Sequence, residues 1–227
     1  MDYDLYLEYE VDMDLNINDD VRETSDQIFA SILHETDEAV QNVGNDEPER
    51  TRIGFIQLFR YNQVLAKTYG VNMTHNPLAT MRIGSKALME LDYSLITQET
   101  IGEIGTASNP NILVLARFGI SADWRNKGIG EQVLKGIMKQ MKGKYGYMLI
   151  MEPKPAQFEE HEACKRLHKV QGVELTGLEE DPEKARWKLN AFWQRCGFKL
   201  FKNYDNVFIC NIEKTVSELL KVRVPAV

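Results

Sequence analysis

The chain has 227 residues, 43% hydrophobic and 27% charged, proportions of an ordinary globular protein that exclude disordered, fibrous and low-complexity classes. Its 27 Lys and Arg against 34 Asp and Glu give a formal net charge of -7, so the broad positive field needed for non-specific nucleic-acid binding is missing and no nucleic-acid partner is expected. One domain covering residues 1–227 is expected, since a single core can serve chains of up to roughly 250 to 300 residues.

In chain order, Tyr3, Leu5, Leu7, Tyr9 and Val11 alternate with polar residues, the period-two pattern of a half-buried strand. Asn18-Asp19-Asp20 offers a helix cap, and Val21, Ile28, Phe29, Ile32 and Leu33 predict a helix running to about Ala39. Thr51 to Tyr61 predicts a second strand. Between Asn62 and Asn109 the pattern is weaker: a strand over Met81 to Ile83, a helix over Ser85 to Ile101, then loop. Ile112 to Ile120 is apolar almost throughout and predicts a central strand; its Gly119 marks either a bulge or a close backbone approach.

Glu131 to Lys142 carries Val133, Leu134, Ile137, Met138 and Met141 on one face, an amphipathic helix. Tyr147 to Met151 is a further buried strand, so strand, helix and strand form a parallel βαβ unit. The charged stretch 157–181 starts as helix and loops around Gly172 and Gly177. Pro182 to Arg195 predicts a helix, Phe198 to Phe201 with Val207 to Ile212 a hairpin, and Thr215 onward a short helix before an edge segment.

Arg125-Asn126-Lys127-Gly128-Ile129-Gly130 stands between a strand and the first turn of a helix. The first N–H groups of a helix have no internal partner, and with the helix dipole they attract an anion. Glycines at 128 and 130 remove side chains that would hold a phosphate away, and Arg125 and Lys127 add positive charge. The third glycine of the dinucleotide fingerprint and the Gly-Lys-Ser/Thr of a P-loop are both absent.

The stretch from Ile120 to Gly130 resembles the strand-turn-helix signature of the GNAT superfamily of acyl-CoA-dependent N-acyltransferases, with its Arg/Gln-x-x-Gly-x-Gly/Ala loop. Leu189 to Phe198, with an aromatic residue four before Gly197-Phe198, resembles that superfamily's second signature. The resemblance covers about 112–212 as a cofactor half, with variable acceptor-side segments at about 62–109 and 157–181. It implies an α/β fold with a mixed, mostly antiparallel sheet, a central parallel βαβ unit, a V-shaped wedge and flanking helices. It also implies acetyl-CoA as co-substrate and transfer of acetyl to a primary amine of a small molecule or peptide.

Carried over by position, Phe118, Gly119 and Ile120 would offer backbone groups to the pantetheine arm, with a bulge suited to Gly119. Arg125, Asn126, Lys127, Gly128, Ile129 and Gly130 would hold the pyrophosphate, and Asn190 and Trp193 would border the cofactor. Trp193 replaces a tyrosine that serves many members as general acid, and an indole N–H cannot protonate a thiolate. Glu152, at the end of the strand facing the wedge, is the candidate base. The alternatives are a CoA-binding or interaction module without catalysis and a nucleotide-binding protein using the same loop.

His161, Cys164 and His168 fall at helical spacing, but in a strongly charged segment without a Cys-x-x-Cys pair they read as a solvated face, and no metal is expected. The odd set Cys164, Cys196 and Cys210 reads as reduced thiols of a cytoplasmic protein. Met1-Asp2-Tyr3-Asp4 does not resemble a secretory signal, no apolar run reaches the roughly 18 residues of a membrane span, and the assembly state stays open, a homodimer included.

Overall fold

The computed structural model describes residues 5–11, 25–35, 50–62, 102–151, 153–160, 162–200 and 207–221. Their strands form one seven-stranded sheet: β1 (Leu5–Val11), β2 (Ser25–Glu35), β3 (Arg50–Tyr61), β4 (Ile112–Ile120), β5 (Tyr147–Met151), β6 (Lys199–Leu200) and β7 (Val207–Asn211), in the order β1-β2-β3-β4-β5-β7-β6. Every pairing is antiparallel except β4 with β5. The helices are α1 (Ile129–Met141), α2 (Glu162–Val170), α3 (Pro182–Arg195) and α4 (Ile212–Lys221). The expected architecture is present: a mixed, mostly antiparallel sheet with a central parallel βαβ unit and flanking helices.

The helix expected over 21–39 is corrected to strand over Ser25–Glu35. Ile28 to Leu33 are buried consecutively, because this strand is covered on both faces and alternation disappears. A continuous apolar run fits a buried helix as well as a buried strand, and pairing with β1 and β3 on both sides decides for the strand. The strand over 81–83 and the helix over 85–101 lie outside the described residues, as does the hairpin tip at 201–206.

The amphipathic pattern of α1 is realised in full. Ile129, Val133, Leu134, Ile137, Met138 and Met141 are buried against one face of the sheet, in a core shared with Ile56, Leu58, Leu113, Leu115 and Met148. Each such side chain contributes about 1.5–3 kcal/mol by leaving water. The opposite face carries two smaller clusters, one around Phe59, Val114 and Leu149 and one of Phe29, Phe55 and Val173. Asp181 caps α3 by accepting from the N–H groups of Glu183 and Lys184 at 2.9 and 3.0 Å, and Pro182 occupies the first turn, where no N–H is missed.

The central strands position the site. β4 pairs with β5 only from Ile112 to Leu115, so residues 116–120 have no strand beside them on that edge among the described strands. The β3–β4 register pairs Gln57 with Arg117 but Leu58 with Leu115, which makes Ala116 the extra residue of a bulge. The bulge expected at Gly119 is thus displaced to Ala116. Gly119 serves the close approach instead: a Cβ there would come within 2.8 Å of the Phe55 ring, and one on Gly54 would collide with the Gly119 carbonyl oxygen. No helix among the described residues is long and apolar enough to cross a membrane.

Candidate anion and acyl-transfer site

β4 runs into the helix start through Ser121 and a 3₁₀ turn at Ala122–Trp124. Ser121 donates its Oγ to the Ile53 carbonyl at 2.9 Å, fastening the strand end to β3. Asn126 at φ 60° and Gly128 at φ 80° then turn the chain through left-handed backbone, a conformation open chiefly to Gly and tolerated by Asn. Gly128 is the N-cap of α1, and no side chain caps it. The first-turn N–H groups and the positive end of the helix dipole are therefore available to an anion.

The loop's cations are used differently from each other. Arg125 donates Nε to the Ile120 carbonyl at 2.9 Å, one Nη to the Thr176 carbonyl at 2.6 Å and the other to the Glu174 carbonyl. Its guanidinium thus ties the loop to the segment behind α2, and burial lowers its pKa from the ordinary value, opposed by Glu174. Lys127 lies over the Trp124 ring, Nζ 4.9 Å from its centroid. Glu131, in the first turn of α1, is paired with Lys135 one turn on, which offsets a carboxylate close to an anion site.

A cavity of about 720 Å³ opens on this loop, within the roughly 300–1,000 Å³ of small-molecule sites. It is lined from both faces of the sheet. On the α1 side stand Gly128, Ile129 and Gly130 with Phe118 and Phe192; on the other stand Gly119, Val173 and His168. Leu175, Leu178 and Leu189 add apolar wall, and Trp187 stands at the rim, 72% exposed.

Of the residues proposed from the sequence, Phe118, Gly119, Ile120, Arg125, Asn126, Gly128, Ile129 and Gly130 meet on this cavity. Lys127, Asn190 and Trp193 do not line it; Trp193 is buried among Phe118, Phe192 and Phe198, its Nε1 without a hydrogen-bond partner among the described residues, and Phe192 takes the wall position. Glu152 and His161 lie outside the described residues, as does the side chain of Cys164. Among the described residues no group of three His, Cys, Asp or Glu is placed to hold a metal.

His168 is the residue sequence reasoning missed. It was expected on a solvated face, yet it is 5% exposed, edge-on to Phe55 with centroids 5.2 Å apart, and its Nδ1 has no hydrogen-bond partner among the described residues. Burial lowers its pKa, as does Arg117, against an opposing effect of Glu159, with Arg125 a further lowering influence. Arg117 and Glu159 are themselves paired at 3.6 Å. The neighbouring Lys165, Arg166, Lys169 and Val170 are exposed, which hides the one face of α2 that turns inward.

Fold and cavity together define a mixed-sheet α/β protein with an uncapped helix start in a strand-loop-helix, beside a parallel strand pair whose ladder ends at Leu115. Among solved structures, the chain is similar to a point mutant of KacT, at 14% identity and a TM-score of 0.37, over 85% of this chain and 75% of that one. It is also similar to a KacTA–DNA complex, at 11% identity and a TM-score of 0.40, over 96% of this chain and 99% of that one. Overlap this slight carries no argument about activity or partners. No family model matches the chain, and no curated protein matches it. The expected membership of the GNAT superfamily is corrected on these findings. Both stretches that suggested it are short, and their glycines answer local needs: Gly128 and Gly197 hold φ of 80° and 93° at a helix start and a helix end, which helices of many folds require.

Proposed function

We propose that the chain is an acyl-CoA-dependent N-acetyltransferase whose acceptor is a primary amine of a small molecule or peptide. One observation carries the reading: an uncapped helix start and a strand edge with no strand beside it among the described residues line one cavity. A long donor with a diphosphate, two amides and a thioester needs such a combination, and a plain nucleotide would use only the first part.

The residues present suit acetyl-CoA as co-substrate. The N–H groups at Gly128, Ile129 and Gly130 face its diphosphate, the 116–120 edge supplies main-chain donors and acceptors for the pantetheine amides, and Leu175, Leu178, Leu189 and Phe192 surround the alkyl portion. Trp187 offers a flat apolar face to the adenine. The thioester carbonyl would then lie beyond the last β4–β5 pair.

Transfer by direct attack requires a neutral amine, so a proton must leave an alkylammonium of pKa near 10 before the C–N bond forms. Main-chain N–H groups near Phe118 are suited to the negative oxygen of the tetrahedral intermediate. Collapse breaks the C–S bond and releases the thiolate. Glu152, proposed as base from the sequence, is one candidate to take the proton.

The test is release of free thiol from acetyl-CoA in the presence of small amines, polyamines, amino acids and peptides, with the acetylated product identified by mass. Amine-dependent release supports the reading. Tight binding of CoA with no amine-dependent release would favour a binding module. Preference for a nucleotide lacking pantetheine would overturn both.

A further inference from the structure

We infer that His168 is the general base that takes the proton from the acceptor amine, on the face of the sheet opposite the diphosphate site. This rests on the acetyl-transfer reading and adds to it which face the amine uses and which group deprotonates it.

The two sides of the cavity differ in chemistry. Side chains alternate along a strand, so Phe118 turns to α1 and α3, where it meets Gly130 and Phe192, and Gly119 turns to Phe55 and Val173. Having no side chain, Gly119 lets the Phe55 ring and Val173 pack directly against β4, just beyond its last pair with β5. His168 stands beyond it, on the cavity wall and packed on Phe55. Among the described residues nothing bonds the buried His168 Nδ1, an unmet need for hydrogen bonding that an acceptor amine would satisfy.

The charges facing His168 come from every side. Arg117 approaches from β4, Glu159 from the turn before α2 and Arg125 from the loop, and Arg52 of β3 donates to Gln171 just past α2 at 2.9 Å. Burial and the arginines outweigh Glu159 and keep the ring neutral at neutral pH, which is the form a base needs. In the step, the neutral ring accepts one proton from the ammonium and the freed electron pair forms the C–N bond as the carbonyl π pair moves to oxygen; collapse then expels the C–S pair as thiolate, and the second proton on nitrogen passes to that sulfur, giving amide and free thiol. The imidazolium then returns its proton to solvent.

The experiment compares wild type with His168→Gln, His168→Ala and Glu152→Gln over pH 5 to 9, measuring kcat, the KM for acetyl-CoA and CoA affinity. Wild type should lose rate as pH falls through a value below the ordinary histidine pKa. His168→Gln should lower kcat by about 100-fold or more, abolish that acid limb and leave CoA affinity within about twofold of wild type. Added imidazole should restore rate to His168→Ala, an effect that repairing a packing defect would not give in a pH-dependent way. A wild-type acid limb that survives in His168→Gln, or is lost only in Glu152→Gln, overturns the assignment while leaving acetyl transfer intact. If the histidine variants do not fold, a wild-type rate without an acid limb overturns it. Wild type without thiol release for any amine overturns the acetyl-transfer reading and the base with it.

Discussion

The rings of Phe118 and Phe192 stack with centroids 6.3 Å apart and 15° between their planes, and Gly130 lies against both, where a Cβ would come within 3.3 Å of each. A residue from the central strand, one from α3 and the first turn of α1 are thereby locked into one wall. The aromatic pair fixes how closely a ligand can approach the helix start.

Gly130→Ala should therefore weaken acetyl-CoA binding about tenfold, or ~1.4 kcal/mol, because the added carbon narrows the approach and displaces both rings. Gly136, also in α1, has nothing within 4 Å of a Cβ. Gly136→Ala should instead stabilise the helix by about 0.5–1 kcal/mol and leave binding unchanged. Calorimetric titration and thermal melts of the pair check this; equal binding losses in both variants would refute the role of Gly130.

Arg125 holds three main-chain carbonyls from two segments, a task for a planar fork that an ammonium cannot reproduce. Arg125→Lys should cost about 2 kcal/mol of stability in spite of its retained charge, and should lower the melting temperature about as much as Arg125→Ala. Full stability in the lysine variant would show that charge alone suffices.

Trp193 is buried, and its Nε1 has no hydrogen-bond partner among the described residues. Trp193→Phe removes that donor and some volume, two effects of opposite sign, so its cost should stay below about 1.5 kcal/mol. Trp193→Ala leaves a cavity and should cost about 3–5 kcal/mol. Denaturant unfolding of both variants measures the difference, and a severe loss in Trp193→Phe would point to a hydrogen bond made by the indole.

Cys196 and Cys210 are buried, and burial pushes each thiol up to about 12. A folded-state pKa above the unfolded one means the native state keeps its proton longer. The stability this gives is whole below the unfolded value near 9 and is lost as pH rises toward 12. Native protein at pH 8 should resist alkylation at both sites and react at both once unfolded, as peptide mapping would detect. Rapid native alkylation of either would contradict its burial.

Much of this protein was legible in the sequence because local physics writes it there. The 3.6-residue spacing of Val133, Leu134, Ile137 and Met141 required a helix on an apolar face, and Pro182 marked where α3 begins. Gly128 before Ile129 announced an open helix start with no reference to the rest of the chain. The residues from Phe118 to Gly130 are close in sequence, so their gathering on one cavity needed little more than a strand, a turn and a helix.

What only the tertiary structure decided depends on partners distant in sequence. Ile28 to Leu33 could satisfy its apolar run as helix or strand, and two flanking strands settled it. Ala116 rather than Gly119 took the bulge, since the register against Gln57 and Leu58 is set across strands. His168 became a buried, cavity-lining imidazole through the fold of α2 over Phe55, a contact between residues more than a hundred positions apart that no local spacing records.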